Sequence, residues 1–441
     1  MLLKTILNRL EKQPGFVYGD PVFVEPTKVK PKRQTKRQAK GQATDSTQNE
    51  SKRPAIHIPL RARQGCRPFC SGCGKKRPGY DTLAQRTYDF VPLWGLLVFF
   101  VYAPRRVTCK TCGVKVEMLP WATGKSPVTH SYAWYLASWA KVLSWTEVGR
   151  RFRTSWDTVF ACVAMAVAWG RAHVNLDGVR SIGVDEIAWR KGPKYLTLVY
   201  HIDHNCTRLL WIGRERTKKT FEGFFTWLGK ERSTLLQFVA SDLWKGFQGV
   251  VVRFAPQALH ILDRFHIAKK FSEAVDAMRR LEMKDLRKKG QQAKLTKTRW
   301  ILLKRQHRLK PSQKRRLAEL LRTNTRTVRA YLLKEVFHAF WGYVSPFWAG
   351  RFLDRWCAMA MRSRLEPMKK VVGTLRAHRG LILNWFRARG AFSHGATEGM
   401  NNKARVTTKR AYGFRTVEHA EVALFHTLGK LPEPPCAHRF L

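Results

Sequence analysis

The chain has 441 residues, 44% of them apolar and 16 of them Trp, which is enough for a sizeable buried core and argues against wholesale disorder. Its 82 Lys and Arg face 31 Asp and Glu, a net +51 that draws polyanions at long range and releases them as salt rises, so nucleic acid is the expected partner. A membrane-spanning helix is not expected: the nearest apolar run, FVPLWGLLVFFVYA (90–103), is too short and is flanked by Pro and charge.

The amino end, MLLKTILNRLEKQPG, lacks an apolar stretch followed by a small-residue cleavage site, so no secretory signal is expected. Nine Cys, four of them in two C-x-x-C pairs, suit a reducing cytoplasm and metal ligation better than a disulfide scaffold. Residues 27–55 are polar and Lys-rich and read as a disordered basic linker within an N-terminal segment, 1–60. Cys70-x-x-Cys73 and Cys109-x-x-Cys112 follow, separated by strand-like residues, each pair ending in a Gly as in a zinc knuckle. Four thiolates suit a closed tetrahedral structural Zn²⁺, which gives a zinc-ribbon DNA-binding domain over 61–122. Cys66 is a fifth thiol that offers an alternative Cys66-x6-Cys73 spacing, although the two-residue spacing favours Cys70.

Residues 129–173 read as helical, within an expected DNA-binding domain over 123–178. In LSWTEVGRRFRTSWDTVFACV a first helix carries Val148 and Phe152 with Thr146 as its cap. A second helix carries Trp156, Val159, Phe160 and Val163 after a Thr154-Ser155 turn and cap. This is the pattern of a helix-turn-helix, with Arg153 and Ser155 as candidate DNA contacts, a reading preferred to that of a helical hairpin packed for its core. From 179 to 270 the period changes. SIGVDEIAW (181–189), KYLTLVYHID (194–203) and TRLLWIGR (207–214) read as strands with turns at Gly192-Pro193 and Asp203-His204-Asn205. A helix with Phe221, Phe224, Phe225 and Leu228, a buried strand ending at Ser241-Asp242, a second helix and a strand in ALHILDRFHIAKKF complete an α/β layer covered on both faces. Residues 271–390 show no strand pattern and read as an all-α insertion, with stripes at Leu317, Leu320 and Leu321 and at Trp348, Phe352 and Trp356, and helix starts at Pro311 and Pro346. Residues 391–441 close the chain as two helices, the second over 417–428.

Three acids stand out in this basic chain. Asp185 lies inside an apolar strand, and alternation of side chains keeps Glu186 from serving the same site equally. Asp242 ends another buried strand. Buried carboxylates are costly unless paired or metal-bound, so two on neighbouring strands ask for a cation. Glu398 is the third, on a helix where Asn402 and Arg405 share its face. Lys403, Arg405, Lys409 and Arg410 would hold DNA phosphates, which positions a duplex without reading its sequence.

SIGVDEIAWRKGPKYLTLVYHID, ASDLWKGF, LDRFHIAKKF and ATEGMNNKARVTTKRAYGFR, with the double Cys-x-x-Cys upstream, resemble the DDE transposases of bacterial insertion sequences, most of all the ISL-three type. The resemblance runs from about residue 60 to the end. It implies an RNase H-like catalytic core interrupted by the helical insertion, and Asp185, Asp242 and Glu398 as a triad for Mg²⁺ or Mn²⁺. Asp263-x-x-His266 matches an accessory motif of related transposases, which makes His266 a further catalytic candidate. The implied activity is metal-dependent cleavage and strand transfer on double-stranded DNA, at transposon ends and target. A homodimer in the synaptic complex and a cytoplasmic, nucleoid-associated location go with it. No covalent enzyme intermediate is required, so Tyr412 is not read as a nucleophile. Two other classes share the scaffold: a DNA-binding regulator without catalysis, which the three acids argue against, and an RNase H-like nuclease that cuts without joining, which the insertion and N-terminal modules argue against.

Overall fold

The computed structural model describes residues 2–25, 54–190, 192, 194–290, 295–388 and 395–435. Most of the expected linker and Pro193 of the expected turn lie outside them. The chain divides into two compact units, one comprising Met1–Val174 and Arg410–Leu441, the other Asn175–Lys409.

The first unit opens with α1 (Leu3–Leu10), β1 (Phe16–Tyr18), β2 (Val22–Val24) and β3 (Ala55–Ala62). Next come β4 (Gly79–Thr82), β5 (Arg86–Leu93), β6 (Leu96–Tyr102), β7 (Arg105–Cys109) and β8 (Gly113–Val116). One sheet runs β1-β3-β6-β5, with β2 also on β3; a smaller one runs β4-β7-β8. The boundary expected at residue 61 thus falls inside a strand, and residues ahead of the linker belong to the sheet. Three-residue strands such as Phe16-Val17-Tyr18 are too short for alternation to announce them. Trp121 fills the core of the larger sheet, edge-on to Phe16 and Tyr102 at centroid distances of 4.8 and 5.3 Å. Glu117 is buried there and satisfied. It accepts from the Tyr102 hydroxyl at 2.6 Å, from the Arg105 amide at 2.7 Å and from the Arg105 guanidinium. A buried carboxylate survives only with such a full set of partners.

Three helices follow, α2 (His130–Val142), α3 (Trp145–Phe152) and α4 (Trp156–Ala172). Ser144, not Thr146, caps α3, in a capping box with Glu147. Ser155 caps α4 by accepting from the Thr158 amide at 3.0 Å. The turn between them is tight: Arg153 adopts a left-handed conformation (φ 55°), and a side-chain carbon at Gly149 would sit 2.8 Å from the Thr154 carbonyl.

The second unit is a mixed α/β layer carrying a helical body. β9 (Ser181–Arg190), β10 (Lys194–Asp203) and β11 (Cys206–Arg214) form an antiparallel meander. α5 (Lys218–Leu228) and α6 (Lys230–Thr234) lead to β12 (Phe238–Ser241), which runs parallel to β9; α7 (Lys245–Phe254) leads to β13 (Leu259–Leu262), parallel to β12. The sheet order is β11-β10-β9-β12-β13. Ile182, Val184 and Val199 pack on one face with Phe221, Phe224, Phe225 and Phe247 of α5 and α7. Alternation then turns Gly183, Asp185 and Tyr200 to the other face.

From there the chain is helical: α8 (Arg264–Lys288), α9 (Arg299–Leu303), α10 (Pro311–Leu321), α11 (Arg326–His338), α12 (Pro346–Arg362), α13 (Glu366–Ala377) and α14 (Arg379–Arg387). Phe271, Phe337, Phe340 and Trp356 centre its core. The stripes hold in part. Leu317, Leu320 and Trp356 are buried, whereas Leu321 and Trp348 lie on the surface, Trp348 being 54% exposed. Glu282 of α8 is buried and caps α11, accepting from the Arg326 and Thr327 amides at 2.9 and 2.8 Å. α15 (Ala396–Arg410) returns to the sheet, and α16 (Val417–Leu428) belongs to the first unit, where the His419 ring meets Trp156 and Phe160.

Candidate active site and metal centre

α15 reaches the sheet because Gly183 has no side chain. A carbon there would lie 2.4 Å from Thr397 Oγ1. One turn on, buried Asn401 accepts from the Tyr200 hydroxyl at 2.8 Å and donates through Nδ2 to Asp185 Oδ2. The other Asp185 oxygen accepts from the Glu186 amide at 2.7 Å. These contacts fix α15 over β9 and bring Glu398 to the side of the sheet that carries Asp185.

Asp185, Asp242 and Glu398 line one cleft of about 470 Å³, with Asp263, His266 and Arg405 also on its wall. Asp242 follows the last residue of β12 and is braced by the Trp244 amide at 2.8 Å. Asp263 caps α8 by accepting from the Phe265 amide at 2.8 Å. It places His266 one turn along, with Nε2 3.8 Å from Asp185 Oδ2 and 4.0 Å from Asp263 Oδ2. Burial raises the carboxyls of Asp242 and Asp263. Burial alone would lower His266, but Asp185, Asp263 and Asp242 outweigh it and raise the imidazole. The cleft therefore concentrates negative charge that its own cations only partly answer.

Asn402 shares a face of α15 with Arg405, whose guanidinium donates to its Oδ1 at 3.4 Å, while Asn401, three residues from Glu398, lines the cleft with Arg405. Glu186 also lies on the cleft, beside Asp185, although strand alternation turns it to the other face. β12 pairs with β9 only as far as Ala240↔Gly183, so beyond Gly183 that edge of β9 is open and side chains of both faces reach the gap. Arg216 bridges there, with Nε 2.7 Å from Glu186 Oε1 and an amino group 3.4 Å from Asp242 Oδ2. Burial pushes the Glu186 carboxyl up to about 7 against the pull of Arg216. Arg216 did not stand out in the sequence, because it reaches the site from beyond the end of β11 with no motif around it.

Of the other candidates on α15, Lys403 and Lys409 are exposed. Arg410 donates to the Lys141 carbonyl at 2.9 Å and the Val142 carbonyl at 3.4 Å, so it caps the carboxy end of α2. Arg153 is exposed, and Ser155 is spent on its helix cap.

In the first unit the Sγ atoms of Cys70, Cys73, Cys109 and Cys112 all lie within 4.8 Å of one another, a group that could hold a metal ion. It is the one such set of three or more His, Cys, Asp or Glu among the described residues. Gly74 and Gly113 turn the knuckles with φ of 66° and 71°. The Gly72 amide faces Cys70 Sγ at 3.4 Å, and Arg77 Nε lies 3.3 Å from Cys109 Sγ. Burial opposes ionisation of Cys109, but the Thr111 and Cys112 amides and Arg77 bring its thiol down to about 5. Cys66 is outside the group, its sulfur against Gly15.

A family model described as Transposase matches residues 182–424, the span that carries all the acids of the cleft. The chain belongs to the ISL-three-type DDE transposase family. It is similar to the transposase for insertion sequence element IS1557 of Mycobacterium tuberculosis, at 31% identity over 415 residues, covering 86% of this chain and 90% of that protein. It is also similar to the transposase for insertion sequence element IS1001 of Bordetella parapertussis, at 28% identity over 355 residues, covering 80% and 86%. In this transposase-family chain the cysteine group lies ahead of the matched span. Among the described residues no helix is long and apolar enough to cross a membrane.

Proposed function

We propose that the protein is a DNA transposase that binds the terminal inverted repeats of an insertion sequence and performs metal-dependent cleavage and strand transfer through Asp185, Asp242 and Glu398. The observation that carries the reading is the convergence of these three carboxylates, from β9, the end of β12 and α15, on one cleft. An antiparallel meander followed by two parallel strands, with the third acid delivered after a helical insertion, supports an RNase H-like core. The donor set fits a hard cation: the acids offer oxygen alone, and the raised carboxyls of Asp242 and Asp263 mark charge that a cation would relieve. Divalent Mg²⁺ or Mn²⁺ bound there would activate a water or a 3′-hydroxyl and steady the leaving oxygen.

The chain's own residues do the rest. Asn401 holds Asp185 in one orientation. His266 lies on the cleft wall, 3.8 Å from Asp185 Oδ2, where its ring could contact a scissile phosphate. Arg405 on the cleft wall and Lys403 and Lys409 on the exposed face of α15 would grip the backbone of the cut strand. Arg410 is withdrawn from that role by its cap on α2. The four Cys suit a structural Zn²⁺, and α3 and α4 a helix-turn-helix, so the first unit would recognise double-stranded ends. Two ends cut in concert call for at least two protomers, a homodimer in the synaptic complex. A cytoplasmic, nucleoid-associated site of action follows from a DNA substrate. Incubating the purified protein with Mg²⁺ or Mn²⁺ and DNA bearing the element's ends, then mapping nicks and joined products, tests the reading; cleavage without joining would favour a nuclease.

A further inference from the structure

Asp185 is held by more than its own strand. Tyr200 on β10 and Asn401 on α15 are both almost fully buried, at 0% and 2% exposure. A carboxylate accepts and does not donate, so the Asn401 amide must turn its NH₂ to Asp185 and its carbonyl to Tyr200. The Tyr200 hydroxyl must then be the donor, 2.8 Å from Asn401 Oδ1. Burial raises this phenol well above its ordinary range, so the proton is retained. The chain Tyr200–Asn401–Asp185 has one permitted direction throughout. It crosses three elements, and Asn401 lies one helical turn beyond Glu398. The bonds that orient Asp185 therefore also set the depth of Glu398 over the sheet.

We infer that Tyr200 and Asn401 are positioning residues for the cation site, acting on Asp185 through this relay and on Glu398 through α15. The inference rests on the reading of Asp185 as a metal ligand. Outer partners that orient ligating carboxylates typically govern about 10–100-fold in metal affinity. The Tyr200 hydroxyl donates to Asn401, so its hydrogen-bonding effect on Asp185 passes through Asn401.

The test is Mn²⁺ titration of the full-length, zinc-loaded protein without DNA, followed by loss of the free-ion electron paramagnetic resonance signal. Asn401→Ala is expected to raise the half-saturating Mn²⁺ concentration by about 10–100-fold. Tyr200→Phe, which removes one oxygen, should raise it about fivefold, the worth of one hydrogen bond. The double variant should match Asn401→Ala alone, because two residues in series do not add. A residue that merely filled space would give no such shared effect on metal affinity. If Asn401→Ala fails to fold, Tyr200→Phe decides alone. Half-saturation within twofold of the parent in folded Asn401→Ala or Tyr200→Phe overturns the relay. Asp185→Ala separates the two ideas. If it loses Mn²⁺ binding while Asn401→Ala keeps it, the metal site stands and the relay falls; if Asp185→Ala binds as the parent does, the site reading itself falls and the relay with it.

Discussion

Gly183 is the residue on which the closeness of α15 to the sheet depends. With Thr397 Oγ1 2.4 Å from the place of a side-chain carbon, Gly183→Val must push the helix outward. Overpacking of this kind costs about 1–3 kcal/mol, to be read as a lower denaturation midpoint. Because Glu398 moves with the helix, loss of Mn²⁺ binding should accompany it. Glu398 itself was legible, as a lone acid among Lys and Arg. Asn401 was not, since positions i+3 and i+4 are equal neighbours on a helix in isolation. Only the helix's seat against Gly183 and Tyr200, both about two hundred residues upstream, selects one. Glu186 was read only as unequal to Asp185, since strand alternation turns it to the other face, but the early end of the β12 pairing leaves it on the cleft as well.

At the scale of elements, the helix starts offer direct measurements. Ser144 heads α3 through a reciprocal box with Glu147, and Ser144→Ala is expected to cost about 1 kcal/mol in denaturant unfolding. Glu282→Ala should cost more, about 2–4 kcal/mol, since it strands two amides at the start of α11, that of Thr327 fully buried. Stability unchanged in that variant would show that α11 needs no cap from α8. The small sheet with the four Cys offers a third measurement. Stripping metal with a strong chelator should unfold that region while the second unit keeps its secondary structure, visible as a partial loss of circular dichroism. The long strands β9, β10 and β11 and the helices opened by Pro311 and Pro346 could be read from periodicity and caps. β1 and β2 could not, because they are too short to carry a period and their partner β3 lies beyond the linker. The single residue that separates Ser144 from Thr146 as a cap was likewise beyond reach, as helix ends are set by the side chain that meets the free amides.

For the molecule as a whole, acid should be destabilising in both units. Burial, with His378 nearby, lowers His260 to about 4; burial, with Lys141 and Arg410, lowers His426 to about 3. Each unfolded imidazole binds a proton that its folded counterpart refuses. The stability they contribute is therefore complete above the ordinary value of 6.5 and is lost as pH falls towards the folded values. His260 alone accounts for about 3 kcal/mol across that window. Melting should drop between pH 7.5 and pH 4.5, and His260→Gln should flatten the dependence in the second unit. The net +51 predicts in turn that DNA binding weakens steeply with salt, with a log–log slope set by the phosphates neutralised. Asp185, Asp242 and Glu398 together form the proposed cation-dependent catalytic centre. Its most direct test is cleavage and joining of end-bearing DNA by the parent and by Asp185→Ala, Asp242→Ala and Glu398→Ala, with Mg²⁺ or Mn²⁺. Each substitution is expected to abolish product while DNA binding and folding persist; cleavage at the parent's rate by any one of the three would contradict a three-carboxylate centre.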